Sequence, residues 1–281
     1  MLIFAVSALA LACAGGICFF TGSFGSLDWL WVLPLSFLGS FLVLALMVFL
    51  IIWIACALVD LNKPQERDSK FYRFLLNLIA EAALPIMGVR MHTQGLEKMP
   101  QGGRFLLVCN HLNEMDPVIL FHYFRKHRLV FGSKRENATM FLVGKLMHKI
   151  RSPLNNREND REALKAILRC IELLKEDTVS IGIFPEGHIT DDKKLDPLKG
   201  GVFKIAQKAQ VPVVVCTLQN THHVFHNAAR LKKTDVQLHL VDVIPAEELK
   251  GVTAVDVAHR VHKLMADDLG PDLVASAKEE S

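Results

Sequence analysis

Residues 104–127 read RFLLVCNHLNEMDPVILFHYFRKH, and the change of pattern inside this stretch decides the fold. Positions 104–109 form a short apolar run suited to a buried strand, while 117–127 follow a helical period. Between them Asp116-Pro117 is a helix-start signal, with Asp as N-cap and Pro at the first helical position. The reading is strand, loop, helix. The alternation continues downstream, with strands expected at 129–132, 178–184, 211–217 and 236–244 and helices at 138–149, 160–175 and 201–210. In the 160–175 helix, Leu164, Ile167, Leu168, Ile171 and Leu174 make one stripe, and Asn159 or Asp160 can serve as N-cap. Strands alternating with helices imply an α/β domain whose central sheet is largely parallel and flanked by helices.

Upstream the chain changes character. Lys63 is the first Lys or Arg, and residues 1–62 hold only Asp28 and Asp60 as charged side chains. Residues 1–20 carry no charged side chain and would reach about 30 Å as a helix, one hydrocarbon thickness. After a Gly/Ser-rich break, a second apolar run from 29 to 59 opens with Trp29 and Trp31, placed as interfacial anchors. Without a positive n-region, and with a second run following, a cleaved signal peptide is disfavoured. The expected N-terminal segment is two membrane-embedded helices over 1–62. Lys63, Arg67, Lys70 and Arg73 follow at once, which by the positive-inside rule puts the body of the chain on the cytoplasmic face. Phe71, Phe74, Leu75, Leu78, Ile79 and Ala82 share a helical face. Residues 63–91 therefore read as a basic amphipathic helix, either lying in the membrane interface or packed on the body, with Pro85 ending or kinking it. The α/β domain is expected over 92–270 and a solvated tail over 271–281.

Composition excludes other classes. The chain has 281 residues, is 51% hydrophobic and carries a net charge of +3, with a mean hydropathy of +0.28. That is too apolar for disorder or for an ordinary soluble enzyme. Its six cysteines form no CxxC pair, which argues against a disulfide framework or structural zinc. Basic residues are interspersed with acidic ones, so no nucleic-acid partner is expected. His222 and His226 would share a helical face, but no HExxH or carboxylate partner stands nearby, and no metal site is expected.

The chemistry begins at His111 and Asp116. On one continuous helix the two would be about 500° apart in rotation and would diverge. Across a strand-to-helix loop they can meet. A His whose Nδ1–H is held by a carboxylate has Nε2 free to take a proton, and no serine adjoins it, so the base would act directly on a substrate hydroxyl. Cys109, two residues earlier, offers a covalent route through a thioester, although strand cysteines usually act as small buried hydrophobes. The segment Phe184-Pro185-Glu186-Gly187-His188-Ile189-Thr190 sets polar groups at a second strand end, the edge where α/β sheets bind ligands. Read locally, it is a turn punctuated by Pro185 and Gly187 with Glu186 solvated. Lys134 and Arg157 can bind phosphate, as a point charge and bidentately, unless they are ordinary surface cations.

Asn110-His111-xxxx-Asp116, Gly132-x-Lys134-x-Glu136, Asn156-Arg157, Phe184-Pro185-Glu186-Gly187-xx-Thr190 and Val211-Pro212-Val213-Val214, in that order, resemble the glycerolipid acyltransferase family, in particular its 1-acylglycerol-3-phosphate O-acyltransferases. The resemblance covers about residues 102–220. Thr190, Asn137, Asn156 and Val215 depart from the family pattern. The resemblance implies acyl transfer from a thioester of coenzyme A or acyl carrier protein, or from an acyl phosphate, to the sn-2 hydroxyl of lysophosphatidate. It needs no cofactor beyond the donor; acyl carrier protein is a partner where it carries the acyl group. His111 and Asp116 would be catalytic, with no acyl-enzyme. Asn110, Lys134, Arg157, Phe184, Pro185, Glu186, Gly187 and Thr190 would bind substrate, with the acyl chain reaching the site from the bilayer. The other readings are an acyltransferase for glycerol 3-phosphate or another lysophospholipid, and a non-catalytic membrane-anchored interaction protein.

Overall fold

The structure, a computed structural model, describes residues 2–134, 141–155 and 160–275. It falls into two compact units, Met1–Pro64 and Gln65–Ser281. In the first, helix α1 (Leu2–Phe20) packs on α2 (Trp29–Ala57). Ala10, Ala14 and Cys18, four residues apart, form the buried side of α1, and side chains this small let helix backbones approach closely. Most large side chains of both helices stay exposed, among them Leu42, Val43, Leu46 and Phe49. An apolar surface on that scale belongs in lipid, and both helices are long and apolar enough to cross a membrane.

The second unit is built on a six-stranded sheet, ordered β1-β8-β7-β2-β6-β3. Its strands are β1 (Val89–Gln94), β2 (Leu106–Cys109), β3 (Leu129–Phe131), β6 (Ser180–Ile183), β7 (Val213–Gln219) and β8 (Thr234–Ile244). All pairings are parallel except β7 with β8. Two short strands, β4 (Ser133–Lys134) and β5 (Leu154–Asn155), pair separately. The helices are α3 (Lys70–Ile86), α4 (Asp116–Tyr123), α5 (Phe141–Lys149), α6 (Asp160–Lys175), α7 (Lys204–Ala209), α8 (Val224–Ala229) and α9 (Ala254–Leu269). The strands β2 and β7 are buried along nearly their whole length, and this is why they read as unbroken apolar runs rather than alternating ones.

Several expectations are corrected. Strand β1 and helix α9 were not anticipated. The sequence VRMHTQ in β1 is polar because this edge strand is largely exposed. In α3 the core side is Leu76, Ala80, Ala83, Leu84 and Met87, whereas Phe71 and Phe74 of the expected stripe are exposed. Pro85 sits in the last turn of α3, which ends one residue later at Ile86. Arg73 is no surface cation: it is buried and holds Asp68 with Nε at 2.8 Å while Nη1 donates to the carbonyl of Leu129 at 2.9 Å. In α6, Ala166, Cys170, Leu173 and Leu174 face the core and Leu164 and Leu168 face out. The tail is not wholly solvated, since Leu195 N–H donates to Leu273 O and Ala275 N–H to Leu195 O, docking residues 271–275.

Candidate active site

Strands β2, β6 and β7 lie side by side and run parallel, so their carboxyl ends open on one edge. Beyond β2, Asn110 turns the chain. Its side chain takes the place of a further pair of ladder bonds, Nδ2 donating to Leu218 O at 2.9 Å and Oδ1 accepting from Leu218 N–H at 2.8 Å. It is buried and spent on β7, so its expected role in binding substrate gives way to one of holding the loop.

The loop then delivers His111 onto Asp116, Nδ1 to Oδ2 at 2.9 Å. The same oxygen accepts the N–H groups of Leu112 at 2.6 Å and Asn113 at 2.8 Å. Asp116 is therefore the first residue of α4 reaching back into the loop, rather than its N-cap, a position that falls to Met115. The Asp116 side chain is fully buried and that of His111 is 14% exposed. A carboxylate only accepts, so Nδ1 carries the proton and the lone pair sits on Nε2. Among the described residues Nε2 makes no hydrogen bond. A neutral imidazole held in this way can accept a proton at Nε2.

Glu186, beyond β6, does not face solvent: it is 2% exposed. Oε1 accepts the main-chain N–H of His111 at 2.8 Å and Oε2 that of Asp196 at 3.1 Å. Burial pushes its carboxyl up to about 7, against the pull of these two donors. Glu186 is therefore not the solvated turn residue of the local reading: it ties three chain segments together. Gly187 has φ of +85°, and a Cβ there would come within 2.7 Å of Lys199 Nζ, so glycine answers both a left-handed turn and a close side chain. Pro185 O accepts from Lys199 N–H at 2.9 Å. Thr190 is buried, with its hydroxyl donating to Lys194 O at 2.9 Å. Phe184 lies flat against His111, centroids 4.0 Å apart.

With this geometry in view, comparisons with known proteins agree. Residues 90–219 match the family model described as Acyltransferase. A 1-acyl-sn-glycerol-3-phosphate acyltransferase of Chlamydomonas reinhardtii is 29% identical over 188 residues, 66% of this chain and 54% of that one. A probable enzyme of the same name from Mycoplasma pneumoniae is 29% identical over 208 residues, 70% of this chain and 75% of its own. Residues 90–219 are thus similar to the acyltransferase family. It spans about half the length of the first relative and three quarters of the second. The crystal structure of the 1-acyl-sn-glycerophosphate acyltransferase PlsC from Thermotoga maritima superposes with a TM-score of 0.60 at 20% identity, over 78% of this chain and 86% of that one, and shows the shared fold.

Other candidates fall elsewhere. Lys134 lies in β4, where the backbone alone is described, and Arg157 lies outside the described residues. The Cys109 thiol is fully buried, and burial raises it far above the range of a working thiolate. His222 follows β7 near Asp116; burial lowers its affinity for a proton, and Asp116 opposes this only weakly. No group of three or more metal-ligating side chains occurs among the described residues. No sequence signal marks Asp196 and Leu218 as supports of the His111 loop, since both act through main-chain atoms.

Proposed function

We propose that this protein transfers a fatty acyl group from an acyl thioester or acyl phosphate to the sn-2 hydroxyl of lysophosphatidate, giving phosphatidate. The observation that carries the reading is the 2.9 Å contact from His111 Nδ1 to Asp116 Oδ2 at the sheet edge, with Nε2 unengaged among the described residues. Nε2 takes the hydroxyl proton as the oxygen attacks the acyl carbonyl. Asp116 stabilises the imidazolium, and the same proton then goes to the departing thiolate or phosphate. No covalent enzyme intermediate is needed, and the buried Cys109 supports that economy. Lysophosphatidate is favoured as acceptor because the relatives from C. reinhardtii and M. pneumoniae carry that activity in their names.

Lys134 and Arg157 hold the acceptor phosphate in this reading. The helices α1 and α2 supply attachment to the bilayer, and Lys63, Arg67 and Lys70 beyond them favour the cytoplasmic face for the catalytic unit. The test is a product assay on detergent-solubilised protein. Lysophosphatidate, glycerol 3-phosphate and lysophospholipids with larger head groups are each offered with acyl-CoA, acyl carrier protein thioester and acyl phosphate. Phosphatidate from lysophosphatidate is expected; product from another acceptor alone, or none at all, would refute the assignment. Arg157→Ala should raise the KM for lysophosphatidate well above that for the donor, and equal effects on both would remove Arg157 from the phosphate site.

A further inference from the structure

We propose that Phe184 is a positioning residue for His111, fixing the plane of the imidazole and stabilising it once it has taken the proton. The inference rests on the reading of His111 as general base and goes beyond it. The Asp116 contact fixes one atom of the ring, Nδ1, at 2.9 Å, and leaves the ring free to swing about that bond. The Phe184 ring removes this freedom, with centroids 4.0 Å apart and planes 14° from parallel. Phe184 is itself held from behind by Phe131, at 5.3 Å and 11°. Phe131 can lie there because its cross-strand partner is Gly182, where a Cβ would come within 2.4 Å of the Phe131 ring. Phe121 meets Phe131 edge-on at 5.1 Å and closes the wall. The stack is thus built into β3 and β6 and does not depend on a mobile side chain.

Its chemical effect follows from the charge distribution of benzene. The ring face is negative, and a cation within about 6 Å of the centroid is attracted to it. A neutral imidazole gains ordinary stacking only; an imidazolium gains the cation–π attraction as well. Because the charge appears as the hydroxyl proton is transferred, the stabilisation acts on the transition state more than on the ground state. Among the described residues, the ionisable groups around His111 are Asp116 at Nδ1 and Glu186 at the main-chain N–H, with His222 close enough to interact with Asp116. None of these is altered by a change in the electron density of Phe184.

The experiment replaces Phe184 in the full chain with phenylalanine bearing one, two or three ring fluorines, which weaken the negative face while keeping the shape. Phe184→Leu serves as the non-aromatic limit. With lysophosphatidate and an acyl-CoA, kcat is expected to fall stepwise with fluorine number, by about two- to thirty-fold at the limit. The KM values stay put, and the acid limb of the pH profile moves to lower pH. An unchanged kcat and limb across the fluorine series, or a change confined to the KM of either substrate, would overturn the proposal. A ring-carbon NMR titration of His111 in the same variants reads the effect without substrate. A wild-type protein inactive on lysophosphatidate would therefore refute the function proposed above, while the NMR series would still decide this one.

Discussion

Glu186 is a carboxylate enclosed by protein, with each oxygen facing a main-chain N–H and burial lifting its ionisation to about 7. A folded-state value above the unfolded 4.5 means that the folded chain binds the proton more tightly. The stabilisation this gives is full below pH 4.5 and is lost as pH rises through about 7, on the order of 3 kcal/mol in all. Glu186→Gln cannot titrate, so the excess melting temperature of wild type over this variant should shrink between pH 5 and 8. A gap that widens with pH would show that the two N–H donors outweigh burial. At Asp116 the expected effect is on rate: Asp116→Asn keeps an acceptor for Nδ1–H but loses the charge that stabilises imidazolium. A fall in kcat of about 10²–10⁴-fold with little change in KM is expected from steady-state kinetics; a KM effect alone would place Asp116 in binding. The pairing of His111 with Asp116 was legible in sequence because Pro117 breaks the chain between strand and helix. The roles of Glu186 and Asn110 were not, since their partners lie 75 and 108 residues away and are main-chain groups.

At the scale of the element, α3 carries apolar side chains on two faces, and the periodic stripe straddles them, with Leu75 buried and Phe71 and Phe74 exposed. Tertiary packing decides between such faces, and the deciding contact is polar: Arg73 lies inward with Asp68, whose side chain is 3% exposed. Arg73→Ala would leave that carboxylate buried with, among the described residues, Arg128 at 4.0 Å, a loss of about 3–5 kcal/mol measurable by denaturant unfolding. The double change Arg73→Met with Asp68→Leu should recover most of it, and a double variant as unstable as the single would deny that stranded charge is the cause. Buried strands were legible as apolar runs, as β2 and β7 show. The edge strand β1 was not, because its exposed residues carry no hydrophobic period.

For the molecule as a whole, the chain divides into two compact units, Met1–Pro64, with few charged side chains, and the charged Gln65–Ser281. Helices α1 and α2, at 19 and 29 residues, exceed what a surface-bound protein needs, so the chain should stay with the membrane pellet through high-salt and alkaline washes. Release by either wash would mean that they do not insert. The candidate site belongs to the second unit, at the common edge of β2, β6 and β7, and the proposed chemistry turns on one imidazole. Single-turnover acyl transfer to lysophosphatidate by His111→Ala, at saturating donor and acceptor, tests this most directly. The account expects a loss of at least about 10²–10⁴-fold with acceptor binding retained; turnover close to that of wild type would contradict it.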